Sequence, residues 1–310
     1  MHRSARLAAL IAALSMVVAA TGLASAHPSP ALTPGTEVLP IFRGVQAANP
    51  HKPQRNNNLL THCGAIQTTP KVYISWWGPE WASGFSTGGY SSAQAQTYNI
   101  GFFSNVGGSG WNNVVKQYCQ NVPSGTQNCA SVSGAVNIVN VAGQFGSAWN
   151  DTTAVPANPT QADIFAAAQR LRAQVGYDAE ATYMVYTPHG KSMSGFGTQW
   201  CAWHSSGSTA SGPLAYAYIP YMPDAGASCG VNFVNGNGWF DGFSVVAGHE
   251  YSEAETDPFP SSGWVDRNGA ENADKCAWSA SSGNITLSGH SYAVQPTWSN
   301  ATGGCAMSAS

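Results

Sequence analysis

Residues 248–258 read GHEYSEAETDP, a histidine followed by four acids in the next eight positions, in a chain of which only 9% is charged. On a helix, side chains four residues apart share a face. His249 and Glu253 would therefore present an imidazole and a carboxylate one turn apart, and both groups bind zinc. Glu250 is placed beside them to exchange a proton with an attacking water. A metal site needs a third ligand, and the downstream stretch WVDRNGAENADKC (264–276) offers Asp266, Glu271 and Asp274. Asp274 is preferred, because a disulfide at Cys276 would fix its position; Glu271 and Asp266 are the alternatives. Seven of the chain's 15 acids fall between residues 250 and 274. Crowded carboxylates repel unless a cation or protons neutralise them. The expectation is that they face a metal ion: zinc, or calcium if only oxygen atoms ligate. The competing reading is a solvated acidic helix end with a hydrogen-bonded core histidine.

The elements that would hold these groups are legible in part. FDGFSVVAGHEYSEAE (240–255) reads as a helix whose apolar lead-in, Val245 and Val246, anchors it in a core. TQADIFAAAQRLRAQVG (160–176) is a second helix, with a capping-box start at Thr160 and Asp163, one apolar face and a stop at Gly176. Residues 91–106 and 110–118 also read as helices. Strands are expected at 71–78, 134–141, 181–187, 213–221 and 291–298, the last at an edge because of Pro296. Helices and strands mix without regular alternation. The predicted fold is α+β: a mixed sheet with packed helices, one of them carrying the HExxE motif, stabilised by disulfides.

The N-terminus has the layout of an export signal: Arg3 and Arg6, an apolar run of 17 residues, then Ala24-Ser25-Ala26 as a cleavage site. Residues 1–26 are read as a signal peptide, 27–58 as a Pro- and Asn-rich linker or pro-segment, and 59–310 as one α+β domain. No second apolar run could span a bilayer, so no membrane span is expected after cleavage. All seven cysteines lie in the mature part. Sequence order suggests Cys119 with Cys129, Cys201 with Cys229 and Cys276 with Cys305, leaving Cys63 unpaired. With 12 basic and 15 acidic residues, no basic stripe for nucleic acid is visible. His62 and His204 are read as surface or hydrogen-bonded histidines.

The HExxE helix resembles the active-site helix of zincin metallopeptidases, with Glu253 where a second histidine would stand. FDGFSVVAGHEYSEAETDP, WVDRNGAENADKCAW and SGHSYAVQPTWSNATGGC together resemble the C-terminal half of the EXORDIUM/phosphate-induced protein family. LLTHCGAIQTTPKVYISWWGPEW and ATYMVYTPHGKSMSGFGTQWCAWHSSG resemble its upstream blocks. The similarity spans roughly residues 59–305. His249, Glu250 and Glu253 match that family's helix motif; Glu271, Asp274 and Cys276 match its acidic segment; His62 with Gly64 and Cys201 with His204 match upstream positions. Tyr251 and Ser252 depart from the smaller or apolar residues usual inside the motif, and GTQW near Cys201 departs from the upstream block. The resemblance implies an extracellular protein, associated in plants with cell expansion and growth signalling, and brings no established reaction. Three functions are therefore expected in this order: a secreted metal-dependent hydrolase acting on an extracellular peptide or cell-wall substrate; a non-enzymatic extracellular binding or signalling protein with a structural cation; a carbohydrate-active enzyme using the acid pair.

Overall fold

A computed structural model describes residues 36–43 and 57–310 of the chain. The expected signal peptide and most of the 27–58 segment lie outside the described residues. Six strands build one mixed sheet: β1 (Glu37–Pro40), β2 (Lys71–Trp77), β3 (Phe145–Asp151), β4 (Ala181–Tyr186), β5 (Trp200–Thr209) and β6 (Gly212–Ile219). Their spatial order is β1-β5-β6-β4-β2-β3. β3, β2, β4 and β6 run parallel, while β5 is antiparallel to β6 and β1 antiparallel to β5. Three main helices flank it: α1 (Ser92–Val106), α2 (Gln161–Val175) and α3 (Asp241–Thr256). The α+β expectation holds.

Side chains alternate across a strand, and here both faces are covered. Val72, Ile74, Trp76, Met184, Tyr186, Ala217 and Ile219 join the core that contains α1 and α3. Ala181, Tyr183, Val185, Leu214, Tyr216 and Tyr218 join the core under α2. Double coverage explains why all six residues of β4 are buried. α2 begins with the expected capping box: Asp163 N–H donates to Thr160 Oγ1 at 3.2 Å and Thr160 N–H to Asp163 Oδ2 at 2.8 Å. It ends at Gly176, whose φ of 98° lets its N–H reach Arg172 O at 2.9 Å.

α3 differs in kind. Every one of its 16 residues is buried, the charged ones included. A helix buried on all sides must find internal partners for its polar groups. Its first turn presses on the segment that follows β6: a Cβ at Gly242 would lie 2.2 Å from the Cys229 carbonyl oxygen, so only glycine fits. A hairpin, β7 (Gly283–Leu287) with β8 (His290–Val294), contributes Leu287, Tyr292 and Val294 to the core shared with α3.

Several elements differ from the sequence expectation. Residues 112–117 form a 3₁₀ helix. The strand expected over 134–141 is only Val136–Asn137, and its valines 136, 139 and 141 are exposed. The strand expected over 291–298 is split at Gln295–Pro296 into β8 and the short β9 (Thr297–Ser299), since proline cannot donate to a ladder. β3 and β5 carry no clear alternation, so sequence pattern does not predict them. Within the 27–58 segment, residues 37–40 form strand β1, with Leu39 fully buried.

Three disulfides join Cys119–Cys129, Cys201–Cys229 and Cys276–Cys305, the sequential pairing, and Cys63 is free and exposed. Disulfides persist in oxidising compartments, which agrees with an extracellular location. Among the described residues, no helix is long and apolar enough to cross a membrane.

Candidate metal centre

α3 does bring His249 and Glu253 onto one face: His249 Nε2 lies 2.9 Å from Glu253 Oε1. Asp274 Oδ1 lies 3.6 Å from the same nitrogen. The Asp274 backbone N–H donates to Glu253 Oε1 at 2.9 Å, locking the 266–276 loop to the helix. The Cys276–Cys305 bridge anchors that loop from its other side. His249, Glu253 and Asp274 thus offer three ligand atoms within 4.8 Å of one another.

The tautomer of His249 follows from its neighbour. Gln295 Nε2 donates to the Ala273 carbonyl at 2.8 Å, so its Oε1 is the atom that faces His249 Nδ1 at 3.2 Å. Nδ1 must therefore carry the proton and donate. Nε2 is left with a bare lone pair, fully buried, with no hydrogen-bond partner, aimed between two carboxylates. Metal-ligating histidines are held in just this way, by a fixed acceptor on the far nitrogen.

A second histidine enters from β5. Of the surface or hydrogen-bonded placements expected, His204 takes the second: it is 1% exposed, hydrogen-bonded to Glu250, and sits inside the acid cluster. Its Nδ1 is 3.2 Å from Glu250 Oε2 and 3.5 Å from Glu253 Oε2, and its Nε2 is 3.6 Å from Glu271 Oε2. His62 remains exposed and outside the cluster. The available signal for His204 was its place at the end of the apolar run WCAWH. Nothing local said which face it would take.

Glu271 is fully buried and neither of its carboxylate oxygens has a hydrogen-bond partner. It forms a second ligand set with His204 and Glu253, and a third with Glu37 and Asp274. Glu37 arrives on β1, directly opposite His204 in the ladder. The same strand passes near Glu250, whose carboxyl is lowered slightly by the Leu39 backbone. Glu250 Oε1 is unpartnered.

Asp266 is elsewhere. Its Oδ2 accepts from Lys275 Nζ at 2.8 Å, and its Oδ1 accepts the backbone N–H groups of Asn268 and Ala270. It is not among the ligand sets, because its charge is already compensated. Asp257 accepts N–H groups from Ser261, Ser262 and Gly263 and organises that loop. Glu255 takes the Asn112 amide at 2.9 Å. Of the seven crowded acids, Glu250, Glu253, Glu271 and Asp274 share the cluster and the other three use partners within the protein.

Burial is the main cause of the titration behaviour. It pushes Glu250 up to about 8, with His249 opposing and Asp274 adding. It pushes Asp274 up to about 7, reinforced by Glu253, and holds Glu253 and Glu271 well above the usual carboxylate range. Burial also raises Asp266, but the hydrogen bonds from Lys275, Asn268 and Ala270 outweigh it and leave that group below its ordinary value. Desolvated carboxylates hold protons or share a cation. Bare imidazole nitrogens among them fit a transition metal better than calcium, which prefers oxygen alone.

Comparison of the chain with protein-family models, with curated proteins and with solved structures found no match.

Proposed function

We propose that the protein is a secreted, zinc-dependent hydrolase of the zincin type that cleaves peptide bonds. The observation that carries this is the bare, buried Nε2 of His249 flanked by Glu253 and Asp274, with Glu250 alongside. His249, Glu253 and Asp274 would hold the ion, which supplies Lewis acidity toward a carbonyl oxygen and an attacking water. Glu250 accepts the proton of the attacking water and delivers it to the departing amine, a role suited to a carboxyl raised toward neutrality. The buried surroundings keep bulk water from competing for that proton.

Peptide is favoured over glycan by β1. This extended segment lies antiparallel along β5 and puts the Glu37 carboxylate in a ligand set. The edge of β5 beside the cluster would thus accept a polypeptide strand by main-chain pairing. β1 then reads as a pro-segment strand that occupies the place of a substrate. The resemblance to the EXORDIUM family supports the extracellular location and leaves the reaction open.

One observation favours a non-enzymatic protein with a structural cation: in the ligand set His249, Glu253 and Asp274, only Asp274 reaches the surface, its side chain 21% exposed. The two readings separate in one experiment. Purified protein is analysed for metal, and wild type and Glu250→Gln are assayed against peptide and glycan panels. The zincin reading expects bound zinc in both proteins and a loss of about 10³-fold in peptide turnover in the variant, the size of a general-base effect. Bound zinc without turnover in wild type supports the structural-cation reading. Glycan cleavage points to a carbohydrate-active enzyme, and metal-free protein that is fully functional ends the proposal.

A further inference from the structure

We propose that the cluster binds two divalent cations bridged by Glu253; this rests on the first ion being held by His249, Glu253 and Asp274. The two oxygens of Glu253 diverge to different histidines. Oε1 is 2.9 Å from His249 Nε2, and Oε2 is 3.5 Å from His204 Nδ1. Behind each oxygen stands a separate ligand set, His249 with Asp274 on one side and His204 with Glu271 on the other, and the two sets have only Glu253 in common.

The second set has its own unsatisfied atoms. His204 Nε2 is buried without a hydrogen-bond partner, and so are both oxygens of Glu271. The first ion, served by His249 and Asp274, would leave these three orphaned. A second ion on that side gives them a partner, and a carboxylate bridge of this kind holds ions about 3.5–4 Å apart.

Charge leads to the same conclusion. Glu37, Glu250, Glu253, Glu271 and Asp274 carry five negative charges when ionised, and among the described residues no lysine or arginine pairs with any of them. One dication leaves three charges uncompensated in a buried volume, whereas two dications leave one. Burying unpaired charge is the costlier arrangement. A second ion, which His204 and Glu271 would hold, would supply a further Lewis acid beside the first.

The test uses full-length secreted protein, stripped with chelator, reloaded with Zn²⁺, freed of excess and analysed for metal per chain. A bridged pair predicts a stoichiometry of about two. His204→Gln and Glu271→Gln should each fall to about one while keeping the ion at His249, and Glu253→Ala should weaken both. Wild type with one ion, unchanged by His204→Gln, overturns the second site and leaves the proposed hydrolase standing. No retained ion overturns both. Should the variants misfold, wild-type protein loaded with Mn²⁺ decides by electron paramagnetic resonance. A spin-coupled pair supports the bridge, and an isolated-ion spectrum at full loading refutes it.

Discussion

Asp266 and Asp274 lie on one short loop and meet opposite fates. Asp266 finds Lys275 at 2.8 Å and two backbone N–H groups, and its carboxyl stays below its ordinary value. Asp274 finds His249 and Glu253, no fixed cation, and is pushed up to about 7 by burial. Acid density in the sequence marked both. What separates the structural acids from the candidate metal ligands is whether the fold supplies them with hydrogen-bond donors or a counter-charge of its own.

The largest effect expected from this contrast is at His249. His249→Ala deletes the bare nitrogen and should abolish retained zinc and, with it, peptide turnover, read by elemental analysis and assay. A variant that keeps its zinc would erase the distinction between the two aspartates. Asp266→Asn should do the reverse: metal content unchanged, but stability lower by about 3 kcal/mol in urea unfolding, because Lys275 is left buried without its partner. Loss of zinc in Asp266→Asn would place that acid in the wrong class.

A smaller effect concerns pH. Glu250 and Asp274 have folded values of about 8 and about 7, above their ordinary ones. The metal-free folded state then binds more protons than the unfolded chain between those limits, so its stability falls as pH rises from about 5 to 8. Zinc replaces protons at the ligands and binds better as they leave. The rise in melting temperature on adding zinc should therefore be larger at pH 8 than at pH 5.5. An equal gain at both values would mean that the cluster carboxyls do not take part in binding.

The smallest effect should be at Glu255, pushed up to about 8 by burial yet paired only with protein groups. Glu255→Gln should leave zinc content unchanged and reduce the alkaline loss of stability by on the order of 1 kcal/mol at pH 9, since a tenfold difference in proton affinity is worth about that much. Loss of zinc would move Glu255 across the line.

What could be read from sequence was local. The register of His249 and Glu253 follows from helix period alone, and the ends of α2 from its capping box and glycine. Asp274 was legible because it sits beside a cysteine whose bridge fixes the loop. The short strand at Val136 misled, because its valines alternate without a sheet to bury them.

By itself, then, the sequence determined the HExxE face, the acid-rich partner loop and an α+β class, all set by side-chain spacing along single elements. Only the tertiary structure decided that His204 and Glu37 join them. Those two residues meet across an antiparallel pairing between segments more than 160 positions apart. Strand pairing of that range is fixed by how the whole sheet buries its two faces, and no window of the chain contains that information.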